Sequence, residues 1–419
     1  MRASPLAWLS TDGKKLLLTR VLRAFAYGYL AVVLALYLHE LGLTEIEVGF
    51  VLTAATAGAA IMTTAGALVA DRYGRRRTVQ SMAALMVAGG LLFAFAGDLW
   101  LLLIGAFTGT ISATSSEVGV FLTVEQAVLP QTAPPHKRTW LFSIYATVAS
   151  FAQAAGALFA GTVGLFLALG LRGGDAYRPL FILYALIGLA NLLVFLTLSV
   201  GVESARVQGA KGFIGIHRSR SMVMRLSALF ALDSFAGALV VQSLVAYWFH
   251  VRWGLDPGAL AALFFGVNVL SGLSLLAAGW LGSRFGLINT MVFTHLPSNL
   301  MLMAIPFMPS AELAVGLFLA RMSISHMDVP ARQAFTMAVV DPDERSAAAG
   351  ITNVARSIAA AVSPTITGFA FSVAALGLPF IAAGALKVGY DLLLYRAFSN
   401  VRTPEEEARW SARPARILL

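Results

Sequence analysis

The chain has no cysteine and few charged residues. The absence of cysteine from all 419 residues excludes disulfides, thiolate metal sites and thiol redox chemistry. Charged residues make up only 12% of the chain, whereas a soluble protein carries about 25%. No Gly-x-x-x-x-Gly-Lys-Ser/Thr phosphate loop and no His/Glu cluster with metal-ligand spacing occurs. We therefore expect a protein that is not an enzyme and holds no cofactor or metal.

Long apolar runs take the place of charge. Hydrophobic residues account for 58% of the chain, and a helix needs about 20 apolar residues in a row to cross a bilayer. Turn signals such as Pro134-Pro135 separate these runs, and their continuity argues against alternating barrel strands. The twelve predicted spans are 17–39, 47–70, 78–97, 99–126, 140–168, 178–200, 224–250, 257–282, 287–307, 311–338, 347–374 and 377–397.

The basic residues indicate the orientation of these spans. With the N-terminus inside, the outside loops hold only Arg172, Arg178 and Arg252, while the inside loops and the tail hold most other Lys and Arg residues. The net charge of +9 is spread over many short loops, so we expect no nucleic-acid partner. The sequence predicts a monomeric integral protein of a prokaryotic inner membrane with both termini in the cytoplasm.

The two halves of the chain repeat each other. Three matches in the same order join 23–26 to 233–236, 71–74 to 283–286, and 125–127 to 332–334. The offsets are 210, 212 and 207 positions, which indicates that six helices are duplicated in parallel. We predict an N-terminal six-helix bundle over 1–200, a linker over 201–222, a C-terminal six-helix bundle over 223–398 and a basic cytoplasmic tail over 399–419.

A loop motif between the second and third spans carries a family resemblance. Residues 67–76 read Ala-Leu-Val-Ala-Asp-Arg-Tyr-Gly-Arg-Arg, which resembles the Gly-x-x-x-Asp-Arg-x-Gly-Arg-Arg signature of the major facilitator superfamily. The signature's first glycine is Ala67 here, and the copy at 279–286 keeps the glycine but has Ser283 for the acid. The resemblance implies an all-α membrane protein with twelve transmembrane helices, arranged as two six-helix bundles related by a pseudo-twofold axis along the membrane normal. It also implies a bacterial transporter similar to drug or metabolite exporters.

Polar residues recur at helical spacing in the fourth and tenth spans. The tenth carries Arg321, Ser325, Asp328 and Arg332 at intervals of four, three and four. The fourth carries Thr110, Thr114, Glu117, Phe121 and Glu125 on a similar stripe. Because polar stripes are unfavourable in lipid, we expect both to face an aqueous cavity, which the resemblance places between the halves. The predicted substrate and proton cavity comprises Arg23, Tyr27, Glu117, Asp233, Arg321 and Asp328.

Four of these residues receive particular roles. Arg23 and Asp233 lie at matching repeat positions, and we predict that they face each other across the pseudo-twofold axis as a gate or substrate site. The alternatives are a static pair or an Arg23 side chain that reaches the headgroups. Glu117 and Asp328 are the candidate proton carriers, since a carboxyl in a half-dry cavity can exchange protons near neutral pH. The alternative is that they neutralise arginines permanently.

A cytoplasmic gate follows from the loop motif. The resemblance implies that the acid of the motif, Asp71, meets the start of helix 11, which carries Arg356. The repeat counterparts are Ser283 and Ala149, so acid and base are missing together in the other half. We predict an Asp71–Arg356 latch that stabilises the outward-facing state; the alternative is that the basic residues only set the topology. The other predicted gate residues are Arg72, Gly74, Arg75, Glu125 and Arg332.

The twelfth span carries a further possible ion pair. Lys387 and Asp391 are four residues apart on one predicted helix, a spacing at which opposite charges satisfy each other. Since helix 12 is peripheral in the superfamily, we expect this pair to be structural.

The leading function is gradient-driven transport by alternating access. We expect proton-coupled export of a small organic compound, by resemblance to bacterial members with this loop motif. One feature opposes it, because residues 149–161 lack the proline and the glycine density of proton–drug antiporters. The alternatives are uptake or symport of a small metabolite, or a receptor or lipid-handling protein on the same fold. The expected partners are a small-molecule substrate, protons and the lipid bilayer.

Overall fold

The computed structural model of the protein describes residues 8–114, 119–203, 218–341 and 344–400. Within these ranges only the backbone is described at residues 67–69, 71, 72, 139, 276, 279, 283 and 346. All regular secondary structure in the described ranges is helical. This confirms the expectation of an all-α protein.

Helices occupy every predicted span. The first half contains α1 (Thr11–Glu40), α2 (Glu45–Tyr73), α3 (Arg75–Phe95), α4 (Leu99–Phe107), α5 (Val120–Val128), α6 (Arg138–Phe159), α7 (Thr162–Ala168) and α8 (Arg178–Leu196). The second half contains α9 (Arg220–Ala238), α10 (Gln242–Trp253), α11 (Pro257–Phe285), α12 (Leu287–Ala304), α13 (Ala311–Ser325), α14 (Asp328–Ala338), α15 (Arg345–Ala361), α16 (Ser363–Ser372) and α17 (Leu378–Phe398). Among the described residues, nine helical stretches are long and apolar enough to cross a membrane. Spans 4, 5, 7, 10 and 11 each consist of two helices.

The loop motif connects α2 to α3 through a single residue. Gly74 has a φ of 102°, a backbone conformation that disfavours residues with a side chain. A Cβ at this position would lie 2.8 Å from Oε1 of Glu203. The same carboxylate accepts hydrogen bonds from the backbone N–H groups of Arg75 at 2.7 Å and Arg76 at 3.1 Å. Glu203 therefore caps the N-terminus of α3, where the helix dipole favours a negative charge.

The fourth and tenth spans are not continuous helices. In the fourth, α4 ends at Phe107, the described residues that follow are irregular, Gly109 has a φ of 69°, and α5 begins only at Val120. In the tenth, α13 ends at Ser325 and α14 begins at Asp328. The prediction of one straight polar stripe along each span was therefore wrong. The second helices of these two spans begin at residues 120 and 328, which match within one position at the repeat offset of 207. Paired interruptions of this kind mark binding sites in membrane transporters.

The structure divides into two compact units. The first unit takes in the described parts of Met1–Gly209, Ala238–Val269 and Ala361–Leu376, and the second those of Ala210–Gly237, Leu270–Ala360 and Gly377–Leu419. Helices α10 and α16 of the second sequence half thus pack within the first unit. The division into bundles over 1–200 and 223–398 stays a prediction from the repeat.

Two contacts hold these helices inside the first unit. Helix α16 lies along α2, where the hydroxyls of Thr53 and Thr365 are 2.7 Å apart. Helix α10 lies along α1, where Ser243 Oγ is 3.0 Å from the carbonyl oxygen of Ala31 and 3.1 Å from that of Ala113 in the segment after α4, so its one proton is shared between them. By the predicted orientation these are the outward ends of their helices. These contacts therefore join α16 to α2 and α10 to α1 within the first unit.

Helices α1 and α6 approach each other most closely at two glycines. A Cβ at Gly28 would lie 2.2 Å from the carbonyl oxygen of Gln153, and one at Gly156 would lie 2.0 Å from that of Phe25. Only glycine fits both positions, because small residues let membrane helices pack backbone to backbone. This contact buries α1 deeply and places Arg23, one and a half turns earlier, inside the first unit.

Candidate functional site: two buried charge clusters

The first unit contains a buried ion pair between α1 and α5. Arg23 and Glu125 are both 0% exposed. Nη2 of Arg23 donates to Oε1 of Glu125 at 2.7 Å. A buried pair is favourable only when its remaining polar atoms also have partners.

Neutral donors and acceptors complete this pair. Tyr145 donates its hydroxyl proton to Oε2 of Glu125 at 2.5 Å. The Thr19 hydroxyl is 3.3 Å from Oε1 and shares its proton with the carbonyl of Leu16 at 3.0 Å. Nη1 of Arg23 donates to Oδ1 of Asn191 at 3.3 Å, and the guanidinium lies 4.4 Å from the ring centroid of Phe121. Arg23 is thus the cation paired with Glu125, and a second buried arginine, Arg20, lies over the Tyr145 ring at 4.8 Å. The first-unit cluster is Thr19, Arg23, Glu125, Tyr145 and Asn191.

The second unit contains a larger cluster centred on α9. Asp233 is 5% exposed and contacts two cations. Its Oδ1 is 2.6 Å from Nζ of Lys387 on α17, and its Oδ2 is 2.9 Å from Nη1 of Arg332 on α14. The same Nη1 lies 3.5 Å from Oδ2 of Asp328. Arg332 is therefore shared between two carboxylates.

A histidine on α12 extends this cluster. Nδ1 of His295 is 2.9 Å from Oδ1 of Asp391, and its Nε2 is 4.0 Å from Oδ1 of Asp233. The second oxygen of Asp391 accepts a hydrogen bond from Asn299 at 2.9 Å. His295 thus bridges two buried acids. The second-unit cluster is Asp233, His295, Asn299, Asp328, Arg332, Lys387 and Asp391.

The central pairs of the two clusters correspond under the repeat with their signs reversed. Arg23 matches Asp233 at the offset of 210, and Glu125 matches Arg332 at the offset of 207. The first unit therefore has a cation in span 1 and an anion in span 4. The second unit has an anion in span 7 and a cation in span 10.

These pairings differ from the predicted grouping of cavity and gate residues. In each unit the structure brings a predicted cavity residue, Arg23 or Asp233, against a predicted gate residue, Glu125 or Arg332. The charge partners of Arg23 and Asp233 thus lie within their own units, and a direct approach of these two residues to each other stays a prediction.

The expected pair on helix 12 requires correction. Lys387 reaches Asp233 instead of Asp391, and Asp391 binds His295 and Asn299. The sequence analysis did not single out His295 as a site residue. The rule that an ionisable residue inside a span marks a functional site could have identified it.

Several predicted gate residues are only partly described. The side chains of Asp71 and Arg72 and all of Glu117 lie outside the described residues, so the latch and one proposed proton carrier stay predictions. Arg356 on α15 is half-buried, and among the described acids Asp233 and Asp328 of its own unit act on it electrostatically.

Two further predicted cavity residues are also buried. Tyr27 is buried in the first unit with its ring centroid 6.5 Å from that of Tyr184. Arg321 is buried in the second unit, on α13. No group of three or more His, Asp or Glu in the described part of the chain is arranged to hold a metal ion.

The fold, the repeat and the paired interruptions together define a membrane transporter with two related halves. Residues 16–364 match the sequence profile of the Major Facilitator Superfamily. Because this match spans most of the chain, the protein belongs to that superfamily. It is a secondary transporter and not an enzyme, and both predictions are confirmed at that level.

Known relatives and structures agree with this assignment. An uncharacterized membrane protein of Saccharomyces cerevisiae is 27% identical over 94% of this chain and 95% of its own length. The D-xylose-proton symporter structure covers 91% of this chain and 97% of its own, with 18% identity and a TM-score of 0.70. The nucleoside transporter NupG covers 93% of this chain and 98% of its own, with 13% identity and a TM-score of 0.70. The structures support the fold alone, and the yeast relative lends no support to a bacterial source or to efflux.

Proposed function

We propose that the protein couples transport of a small organic compound to proton movement through the second-unit cluster. The observation that carries this proposal is the cluster's charge composition. Among the described residues, the three carboxylates of the cluster, Asp233, Asp328 and Asp391, form ion pairs with two arginine or lysine side chains, Arg332 and Lys387, and Arg356 acts on Asp233 and Asp328 from farther away. One proton on His295 or on a carboxylate balances the charges of the cluster itself.

The sharing of Arg332 gives that proton a structural consequence. If Asp328 or Asp233 takes up a proton, Arg332 is held by one carboxylate instead of two. Burial of a charge without a partner costs several kcal/mol of folding free energy. The protonated and deprotonated forms of the cluster therefore favour different arrangements of α9, α14 and α17, and a ligand that prefers one arrangement becomes coupled to the proton.

For direction and location we keep the proposals made from the sequence. We propose export by proton antiport, by resemblance to bacterial members with this loop motif, with both termini in the cytoplasm of a bacterial inner membrane. Uptake by symport is the alternative. Proton and substrate move in opposite directions under the first and together under the second. Because the chain has no cysteine, a single cysteine introduced in place of Arg172 tests the orientation by labelling from the outside.

Flux measurements in proteoliposomes test the coupling. A panel of small organic compounds is applied with and without an imposed pH gradient, and an internal pH dye reports proton movement. We compare wild type with Asp328→Asn and His295→Gln. Asp256→Asn is the matched control, because this exposed helix cap can be replaced by asparagine without loss of the cap.

We expect gradient-driven flux in wild type and in the control, and flux without proton movement in the two cluster variants. Flux that ignores the pH gradient in wild type and is unchanged in both variants would show that the cluster is structural. No flux of any compound would favour a receptor or lipid-handling role instead.

A further inference from the structure

Arg321 lies on the buried face of α13. That face is formed by Ala314, Phe318, Arg321 and Met322, and Arg321 itself is 8% exposed. Its neighbours on the face are apolar. A guanidinium is rarely buried without a carboxylate, because desolvation of the charge is then uncompensated.

The described residues supply no such carboxylate. Nη1 of Arg321 contacts only the sulfur of Met322, at 3.1 Å, and its Nε has no hydrogen-bond partner among the residues that the structure describes. Arg332, three turns later in the same span, is held by carboxylates at 2.9 Å and 3.5 Å. The two arginines of the tenth span therefore have opposite states, one neutralised and the other lacking a counter-charge.

A second buried donor lies at the interruption between α13 and α14. His326 ends α13, and its Nδ1 is buried without a hydrogen-bond partner in the described part of the chain. Asp328 and Arg321 are among the charged groups that act on His326 electrostatically. Within six residues, the end of α13 thus carries two side chains that each have a buried nitrogen without a hydrogen-bond partner among the described residues.

We propose that Arg321 and His326 bind the carboxylate of a small monoanionic substrate with an apolar body. One permanent cation balances one negative charge, and the planar guanidinium matches the two oxygens of a carboxylate. A dianion is disfavoured because Asp328 lies two residues beyond His326. This inference rests on the proposed transport function, since it names the class of compound carried.

Ligand binding to the purified protein tests the site without any gradient. Thermal unfolding in detergent is followed at increasing concentrations of acetate, butyrate and benzoate, of the matching neutral amides, and of phenyl phosphate as a dianion. The variants are Arg321→Met and Arg321→Lys. Arg252→Met is the control, because it removes an exposed arginine elsewhere in the chain.

We expect at least one carboxylate to stabilise wild type more strongly than its amide and more strongly than phenyl phosphate. Arg321→Met should lower the affinity for that carboxylate by about tenfold or more, because hydrogen bonds to a charged group are lost. Arg321→Lys should retain part of the affinity. The unliganded Arg321→Met protein should melt at a higher temperature than wild type, since an uncompensated buried charge has been removed.

Three results would overturn the site: equal binding of carboxylates and amides, unchanged affinity in Arg321→Met, or a lower melting temperature of that unliganded variant. The proposed function is tested separately. Proton-driven flux of neutral compounds alone would contradict the anion site and support the transport function. Carboxylate binding without any flux would support the anion site and contradict the transport function.

Discussion

The two charge clusters occupy corresponding places in the repeat, yet they are built differently. The first joins Arg23 to Glu125 one to one and fills the remaining positions with neutral side chains. The second shares Asp233 between two cations and Arg332 between two acids, with a histidine bridging to a third acid. Under our proposal, this difference separates a static ion pair from a cluster whose charge depends on a proton.

The two halves carry the same ion pair with the positions of cation and anion exchanged. Spans 1 and 4 carry a cation and an anion, and spans 7 and 10 carry an anion and a cation. A buried pair can have either polarity because the attraction depends only on opposite charge, whereas a single buried charge is costly. We infer that a complementary pair between these spans is the constraint, and that the extra acids and His295 distinguish the second unit.

Of the substitutions that test the difference between the clusters, removal of Glu125 should lower the stability of the protein most. Glu125→Gln leaves Arg23 buried without a carboxylate, so we expect the free energy of unfolding to fall by about 3–5 kcal/mol. Unfolding by SDS in mixed micelles measures this change. The matched variant exchanges the charges, Arg23→Glu with Glu125→Arg, and should recover much of the loss because the second unit uses that polarity. A double variant no more stable than Glu125→Gln would contradict the idea that polarity is interchangeable.

Removal of Lys387 should have a smaller effect. Lys387→Met deletes one cation from Asp233, but Arg332 still contacts that carboxylate at 2.9 Å. We expect a loss of about 2 kcal/mol, the value of one charged hydrogen bond, measured by the same SDS titration. A loss as large as that of Glu125→Gln would mean that Asp233 is not effectively shared, and the contrast between the clusters would disappear.

Removal of one neutral donor should have the smallest effect. Tyr145→Phe deletes the hydroxyl that donates to Glu125 at 2.5 Å while leaving the ion pair intact. We expect a loss of about 1.5 kcal/mol from this hydrogen bond, and unchanged proton-coupled flux, because our proposal assigns coupling to the second-unit cluster. Loss of coupling in this variant would extend the proton pathway to the first unit.

Much of the fold could be predicted because hydrophobic length and repetition are local properties. Each apolar run is long enough to cross a bilayer, and helices were found in every predicted span. The motif at 67–76 predicted the superfamily, and Gly74 has the positive φ that its glycine requires. The interruptions in spans 4 and 10 were missed, since helical spacing of polar residues does not reveal whether the backbone between them is helical.

The partners within the site could not be predicted in the same way. Residues 168 positions apart, such as Arg23 and Asn191, meet only because the helices pack side by side. The spacing of four residues allows Lys387 to pair with Asp391 on its own helix. The sequence does not show whether Asp233 on another helix comes close enough to compete. The choice depends on which helix face is buried.

The sequence by itself determined the class of protein, the number of spans and the presence of paired charges in both halves. Those features follow from the cost of placing polar groups in hydrocarbon, which every residue meets wherever the chain folds. Tertiary structure alone decided that Glu125 neutralises Arg23, that Asp233 is shared by Lys387 and Arg332, and that Arg321 has no carboxylate among the described residues. The reason is that an ion pair depends on distances of a few ångströms between helices, which helix packing sets and local sequence does not.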